Sequence, residues 1–222
     1  MRTKYPFEAV LWDMDGTLVD SEPFWLKSET ELMAEYGYAW TADDQRHCIG
    51  GPLLIVGQYM HQLAGGRETP EYFMSELTNR TAKSFIAGIK PMEGVAARLD
   101  ELYSAGIPMA LVTASPRLMA ENVVASLGSH YFKSIVSCDD VMHSKPDPEG
   151  YLKAASELDV EIAHCLIFED SNTGVNAGLA SGASVVAITH LTHFEPHPRK
   201  IDIASIESVS TKPLSALYVT LP

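Results

Sequence analysis

Residues 10–20 read VLWDMDGTLVD, and this segment decides the fold more than any other stretch of the chain. An apolar run at residues 7–12 ends here at Asp13 and Asp15, and Gly16 follows. A short apolar run bounded by turn residues is typical of a buried strand. A strand that continued past the run would point Asp13 and Asp15 to the same side. We therefore predict a buried strand that carries two acidic side chains to one edge of a sheet.

Further short apolar runs alternate with helical patterns along the second half of the chain. They lie at residues 107–113, 134–138, 165–168, 184–189 and 201–206. Such alternation is typical of a parallel α/β sheet, and ligands of open parallel sheets bind at the carboxyl ends of the strands. We predict a Rossmann-like α/β core made of residues 1–20 and 91–222.

The strand pattern is absent between residues 21 and 90. Helical patterns replace it at residues 22–36, 53–63 and 71–85. Turn-forming residues concentrate at both edges of this block, with Gly16 before it and Gly88, Pro91 and Gly94 near its end. We predict that residues 21–90 form a small α-helical cap domain inserted into the core.

The composition limits the classes of function. The chain has 222 residues, 46% of them hydrophobic, with 16 Lys and Arg against 29 Asp and Glu and a net charge of −13. These values are ordinary for a folded globular protein and exclude collagen-like and disordered chains. The acidic balance argues against nucleic acid as a partner, because binding to phosphate backbones requires an excess of Lys and Arg. A basic pocket for one small phosphate is still compatible with this charge.

Sequence signals for secretion or membrane insertion are absent. The longest uncharged stretch, residues 171–194, is interrupted by glycine and asparagine residues. The three cysteines have no C-x-x-C spacing, so the sequence indicates neither a disulfide framework nor a zinc site. We expect a cytoplasmic protein with no membrane partner.

Polar side chains follow three of the other predicted strands. Thr113 and Ser115 follow the second run, Lys145 lies between the third and fourth, and Glu169 with Asp170 follows the fourth. Hydroxyl and backbone N–H groups bind phosphate oxygens, and paired carboxylates bind a hard cation such as Mg²⁺. Each segment also has a plain structural interpretation when it is taken alone. These alternatives are turn chemistry for the first acidic pair, a helix N-cap for Ser115, a surface position for the lysine, and an acidic helix start for the second pair.

Together the four segments resemble the motifs of the haloacid dehalogenase-like hydrolase superfamily, in its branch of small-molecule phosphatases with a helical cap after the first strand. Residues 13–17 resemble the first motif, Thr113 the second, Lys145 the third, and residues 169–171 with Gly174 the fourth. The resemblance extends from about residue 7 to residue 189.

This resemblance implies a reaction and a cofactor. It implies that Asp13 attacks phosphorus and becomes phosphorylated, and that Asp15 is the general acid and base. It implies a Mg²⁺ ion held by the Asp13 carboxylate, the Asp15 backbone carbonyl and Asp170, with Glu169 nearby. The function expected is hydrolysis of a small phosphate monoester, a sugar or polyol phosphate, by a monomer or weak dimer.

The phosphoryl group of the substrate also needs ligands. The resemblance implies that Thr113, the N–H of Ala114 and Lys145 hold it. Dehalogenase-like and phosphonatase-like members of the family typically lack an acid at the position of Asp15, so the resemblance favours phosphoryl transfer. A β-phosphoglucomutase-like phosphomutase and a non-catalytic metal-dependent binding protein on the same fold are the alternatives.

The predicted cap carries the candidate specificity residues, Trp25, His47, Gly50 and Leu53. In β-phosphoglucomutase-like members the position of Trp25 tends to hold a histidine, which disfavours the mutase alternative. An equally good interpretation of Trp25 and Leu53 is that both belong to the core of the cap.

A histidine-rich segment follows the fifth apolar run. His190, His193 and His197 have spacings that would suit a metal site, but Pro196 and Pro198 are incompatible with a regular helix there. We predict a polar loop.

Overall fold

The computed structural model describes residues 5–49, 52–86, 88–189 and 193–209. The chain forms two compact units, Met1–Asp20 with Lys90–Pro222, and Ser21–Ile89. The first unit contains a β-sheet and its flanking helices, and the second contains helices.

The unit Ser21–Ile89 has an apolar core of its own, to which Leu32, Met60 and Phe73 contribute fully buried side chains. Its helices are α1 (Glu22–Ala34), α2 (Ala42–Cys48), α3 (Leu53–Leu63) and α4 (Pro70–Ile86).

Helix α2 is the element of this unit that the helical patterns did not predict. It starts with a capping box, in which the Thr41 side chain accepts from the Asp44 N–H and the Asp44 carboxylate accepts from the Thr41 N–H. The spacing Thr-x-x-Asp resembles the sequence signature of such a box, so a search for caps would have predicted where α2 begins.

The sheet of the first unit is parallel. Its strands are β1 (Ala9–Trp12), β2 (Met109–Val112), β3 (Ser134–Val136), β4 (Cys165–Glu169), β5 (Ser184–Ile188) and β6 (Lys200–Ile203). Each strand overlaps one of the predicted apolar runs, so the predicted α/β Rossmann-like fold is confirmed.

The order of the strands is β3-β2-β1-β4-β5-β6. The chain moves from β1 outward to β2 and β3, then returns to β4 on the other side of β1 and continues outward. The direction therefore reverses between β1 and β4. In parallel sheets such a reversal leaves a crevice at the carboxyl ends of the two strands, where ligands bind.

Four helices cover the sheet in the described part of the core. They are α5 (Val95–Ser104), α6 (Arg117–Leu127), α7 (Glu149–Glu157) and α8 (Asn172–Ser181). Apolar residues of α7 and α8 pack with Leu11, Ile167 and Val185 on one face. Helices α5 and α6 lie in the connections that lead from β1 to β2 and β3, whereas α7 and α8 lie in those that lead the opposite way across the sheet, to β4 and β5. Because parallel crossovers are right-handed, α5 and α6 therefore cover the other face. None of the helices that the structure describes is both long enough and apolar enough to cross a membrane.

An aromatic pair lies between the two central strands. Trp12 is the register partner of Phe168, both side chains are fully buried, and the rings stack with centroids 4.3 Å apart. Alternation along the strands places this pair on the face opposite Leu11 and Ile167. The pair packs directly below the strand ends that carry Asp13 and Glu169.

We expect Phe168→Ala to lower the free energy of unfolding by about 3–5 kcal/mol, because it removes a buried ring and leaves a cavity beside Trp12. Urea denaturation measures the change. Leu152→Ala on α7, where the side chain is 43% exposed, is the control and should change stability by less than about 1 kcal/mol. A loss for Phe168→Ala no larger than that of the control would contradict this packing.

Candidate active site

The turn after β1 brings acidic side chains from two strands together. The Asp13 N–H donates to the Phe168 carbonyl at 3.0 Å, which extends the pairing of β1 with β4 by one residue. The chain then turns at Gly16, where φ is +79°, and the Gly16 N–H donates to the Val19 carbonyl at 2.9 Å. A Cβ atom at Gly16 would lie 2.1 Å from Asp170 Oδ2, so both the conformation and the space require glycine.

Three buried carboxylates form a cluster at the reversal point of the sheet. One oxygen each from Asp13, Glu169 and Asp170 lies within 4.8 Å of the others. Thr17 Oγ1 donates to Asp170 Oδ1 at 3.4 Å. In the described part of the chain no other group of His, Cys, Asp or Glu side chains has this geometry. Oxygen ligands of this type suit a hard divalent cation.

The electrostatics of the cluster also fit a cation. Burial, followed by repulsion from Glu169, raises the pKa of Asp13 to about 7, although Lys145 opposes the shift. Burial, followed by repulsion from Asp13, raises the pKa of Asp170 to about 9. Full ionisation of the cluster would therefore place more negative charge here than Lys145 compensates, and a divalent cation would stabilise the ionised carboxylates.

Lys145 joins the ends of three strands. Its Nζ donates to Asp13 Oδ1 at 2.6 Å, to Glu169 Oε1 at 2.7 Å and to the Val112 carbonyl at 2.9 Å. Burial alone would lower the pKa of this ammonium group, but Asp13 and Glu169 raise it well above the usual value. Lys145 is therefore a permanent buried positive charge beside Asp13, and the alternative of a surface lysine is wrong.

Glu169 is fully buried, and both of its oxygens accept hydrogen bonds. Besides Lys145, Oε1 accepts from the Tyr151 hydroxyl at 2.9 Å, and Oε2 accepts from the Asp170 N–H at 3.0 Å and the Ser171 N–H at 3.2 Å. These partners fix the carboxylate in one orientation.

Helix α8 begins directly against this carboxylate. A Cβ atom at Gly174 would lie 1.6 Å from Glu169 Oε1, so any side chain at this position would displace Glu169. Ser171, the N-cap of α8, accepts a hydrogen bond from the Gly174 N–H at 3.0 Å. The helix start thus holds Glu169 in place.

Asp15 contacts the loop after β2. Its Oδ2 accepts from Ser115 Oγ at 2.7 Å and lies 3.4 Å from Thr113 Oγ1. Ala114, which lies between these two residues in sequence, is exposed. The N-cap of α6 is Pro116 and makes no side-chain cap bond, so the interpretation of Ser115 as a helix cap is wrong.

The structure thus brings Asp13, Lys145, Glu169 and Asp170 together and places Thr113 against Asp15, but it also adds a residue. Tyr151 lies on α7 and is fully buried, with its hydroxyl bound to Glu169. Nothing in the sequence near Tyr151 marks it, because its partner is 18 positions away. Ser115 was recognised in the sequence, as a hydroxyl that could bind phosphate or as a helix cap, but its contact with Asp15 was not predicted.

The candidate specificity residues lie in the helical unit, and the structure describes three of the four. Trp25 and Leu53 are partly buried against the core of that unit. His47 is exposed, and its ring lies 4.3 Å from that of Tyr59. Gly50 lies outside the described residues.

The histidine-rich segment is described in part. His190 lies outside the described residues, and residues 193–199 form neither helix nor strand. His193 is exposed, and His197 Nδ1 accepts from the Arg199 N–H at 3.1 Å.

Comparison with known proteins identifies the family. A family model described as haloacid dehalogenase-like hydrolase matches residues 10–188. The chain is 32% identical over 186 residues to hexitol phosphatase A of Escherichia coli, covering 82% of each chain. It is 29% identical over 183 residues to fructose-1-phosphate phosphatase of the same bacterium, covering 82% of this chain and 96% of the relative.

A solved structure shares the fold. The crystal structure of CbbY from Rhodobacter sphaeroides in complex with xylulose-(1,5)bisphosphate superposes with a TM-score of 0.78, at 22% identity, covering 91% of this chain and 96% of the other. The parallel sheet, the family match and the two relatives agree. The chain belongs to the haloacid dehalogenase-like hydrolases and is a phosphatase of that family.

Proposed function

We propose that this phosphatase hydrolyses a small sugar or polyol phosphate in a Mg²⁺-dependent reaction that passes through an aspartyl-phosphate on Asp13. The observation that carries this proposal is the position of Asp13, 2.6 Å from Lys145 Nζ and within the buried carboxylate cluster. The names of the relatives, hexitol phosphatase A and fructose-1-phosphate phosphatase, support the class of substrate.

Asp13 acts as the nucleophile. A carboxylate oxygen of Asp13 attacks phosphorus while the bond from phosphorus to the leaving alcohol oxygen breaks. The ammonium group of Lys145 orients this carboxylate and places positive charge where the phosphoryl oxygens gather negative charge. Thr113 and the N–H of Ala114 hold the same phosphoryl group.

Asp15 moves the protons of both half-reactions. It gives a proton to the leaving oxygen in the first step, and it takes one from the water that hydrolyses the aspartyl-phosphate in the second. Its position beside Thr113, on the loop that holds the phosphoryl group, supports this role.

The carboxylates of Asp13 and Asp170 and the backbone carbonyl of Asp15 would hold Mg²⁺, with Glu169 nearby. Bound there, Mg²⁺ would neutralise part of the negative charge of the carboxylates and of the phosphate. Both Glu169 oxygens already accept hydrogen bonds, which favours a role for Glu169 in orienting Lys145.

The helical unit acts as the cap that selects the substrate, and Trp25, His47, Gly50 and Leu53 are its candidate specificity residues. Cap closure would exclude bulk water during proton transfer, and opening would release the product. We also predict that the protein is cytoplasmic and is a monomer or a weak dimer.

The first test is phosphate release from a panel of hexose, hexitol and glycerol phosphates, with Mg²⁺ or with EDTA. We expect Mg²⁺-dependent release that Asp13→Asn abolishes without changing the circular dichroism spectrum, because an amide is a poor nucleophile. The control is Asp159→Asn, the same change at an exposed carboxylate of the α/β unit, and it should retain activity.

Undiminished release by Asp13→Asn would exclude the covalent mechanism. Isomerised sugar phosphate without free phosphate would identify a phosphomutase instead.

Asp15→Asn tests proton transfer. We expect kcat/KM for alkyl phosphates to fall by about 10²- to 10⁴-fold, because an alkoxide leaving group needs a proton. The value for 2,4-dinitrophenyl phosphate should fall far less, because its leaving group is stable as an anion. Equal losses for both substrates would contradict the role of Asp15 as an acid.

Trp25→Ala tests the specificity of the cap. We expect the ratio of kcat/KM between the two best sugar phosphates to change by about tenfold, while kcat/KM for p-nitrophenyl phosphate is retained. Trp25→Phe keeps an aromatic ring against the cap core and is the control. A uniform loss for every substrate, with a lower melting temperature, would show that Trp25 is structural.

A further inference from the structure

The two carboxylate oxygens of Asp15 have different surroundings. Oδ2 accepts the Ser115 hydroxyl at 2.7 Å, a distance typical of a good O–H···O hydrogen bond. Oδ1 is buried and accepts no hydrogen bond from any residue within the described ranges. Leaving a buried carboxylate oxygen without a donor is costly, so such an atom calls for an explanation.

Ser115 is held rigidly in its turn. Its N–H donates to Thr113 Oγ1 at 2.9 Å, and its carbonyl accepts from the Cys138 N–H at 3.3 Å. The Thr113 N–H donates to the Val136 carbonyl at 2.9 Å, which fixes the start of the same turn to β3. The backbone of Ser115, a residue that is nine-tenths buried, is therefore fixed where the side-chain hydroxyl reaches Asp15.

We propose that Ser115 is a positioning residue for Asp15: its hydroxyl holds Oδ2, so that Oδ1 is the oxygen that carries the proton. This inference rests on the proposed function and assigns a task to one atom of the acid. Ser115 keeps its own proton throughout, so it orients the carboxylate without taking part in the transfer.

Both half-reactions then use the same atom. In the first, the proton on Oδ1 passes to the leaving oxygen as its bond to phosphorus breaks, and Asp15 becomes a carboxylate. In the second, Oδ1 takes a proton from water as the water oxygen bonds to the phosphorus of the aspartyl-phosphate and the bond to Asp13 breaks. A free rotation of the carboxylate would misplace Oδ1, and small displacements of a catalytic group reduce rates strongly.

The alternative task for Ser115 is a hydrogen bond to the phosphoryl group itself. The two tasks differ in their dependence on the leaving group. A ligand of the phosphoryl group acts equally on all phosphate monoesters, whereas a residue that positions the acid matters only where the leaving oxygen needs a proton.

The test compares kcat/KM of Ser115→Ala and the unchanged enzyme for glycerol phosphate and for 2,4-dinitrophenyl phosphate. This constant covers the steps up to release of the alcohol, so hydrolysis of the aspartyl-phosphate does not enter it. We expect a loss of about 10- to 100-fold for glycerol phosphate and less than about threefold for the aryl ester. Ser115→Thr, which keeps a hydroxyl, should retain the original ratio of the two values.

Ser134→Ala is the matched control, because the Ser134 hydroxyl also donates to a carboxylate, that of Glu157, on the exposed edge of the core. It should leave both values unchanged. Circular dichroism and melting temperature establish that Ser115→Ala folds.

Equal losses for the two substrates would overturn the inference and assign Ser115 to the phosphoryl group, and unchanged values would also overturn it. Asp15→Asn, measured in parallel, separates this failure from that of the proposed function. If Asp15→Asn shows the leaving-group dependence and Ser115→Ala does not, the inference about Ser115 alone is wrong. If Asp15→Asn shows no leaving-group dependence either, the role of Asp15 as an acid is wrong, and the inference about Ser115 is wrong with it.

Discussion

The ion pairs of Lys145 with Asp13 and Glu169 hold the centre of this structure together. The three residues are far apart in sequence, and the ammonium group also binds the Val112 carbonyl, so one side chain joins the ends of β1, β2 and β4. Buried charges are tolerated only where they are paired and hydrogen-bonded, and removal of one partner leaves the others uncompensated. The reversal of strand order between β1 and β4 is what allows carboxylates from two strands to share one lysine.

Space at this centre is as constrained as charge. Gly16 and Gly174 come from different elements, yet each lies where a Cβ atom would overlap a carboxylate of the cluster, that of Asp170 and that of Glu169 respectively. The two glycines thus allow two segments that are distant in sequence to bring their backbones close to the carboxylates. The dense packing leaves little freedom for the acidic side chains, which suits a site whose geometry must be fixed before the substrate arrives.

The sequence predicted the sheet because each strand is a short apolar run that ends in turn residues, a signal carried by neighbouring positions. It predicted the cluster because chemistry-bearing residues follow those runs. It did not predict α2, whose capping box is a local signal that hydrophobic periodicity does not detect. It left Ser115 as either a phosphate-binding hydroxyl or a helix cap, and it passed over Tyr151. Their partners are 100 and 18 positions away, and only the tertiary fold brings them together.

Asp13 and Asp15 are the same kind of residue, two positions apart, but they have different surroundings. Asp13 faces the permanent positive charge of Lys145, which opposes the rise in its pKa caused by burial and by Glu169. Asp15 faces the neutral hydroxyls of Ser115 and Thr113. In the reaction proposed above, this contrast between a charged and a neutral partner assigns the nucleophile to Asp13 and the proton transfer to Asp15. Strand β1 ends at Trp12, directly before the two acids, and beyond it Asp13 contacts the lysine while Asp15 contacts the loop after β2.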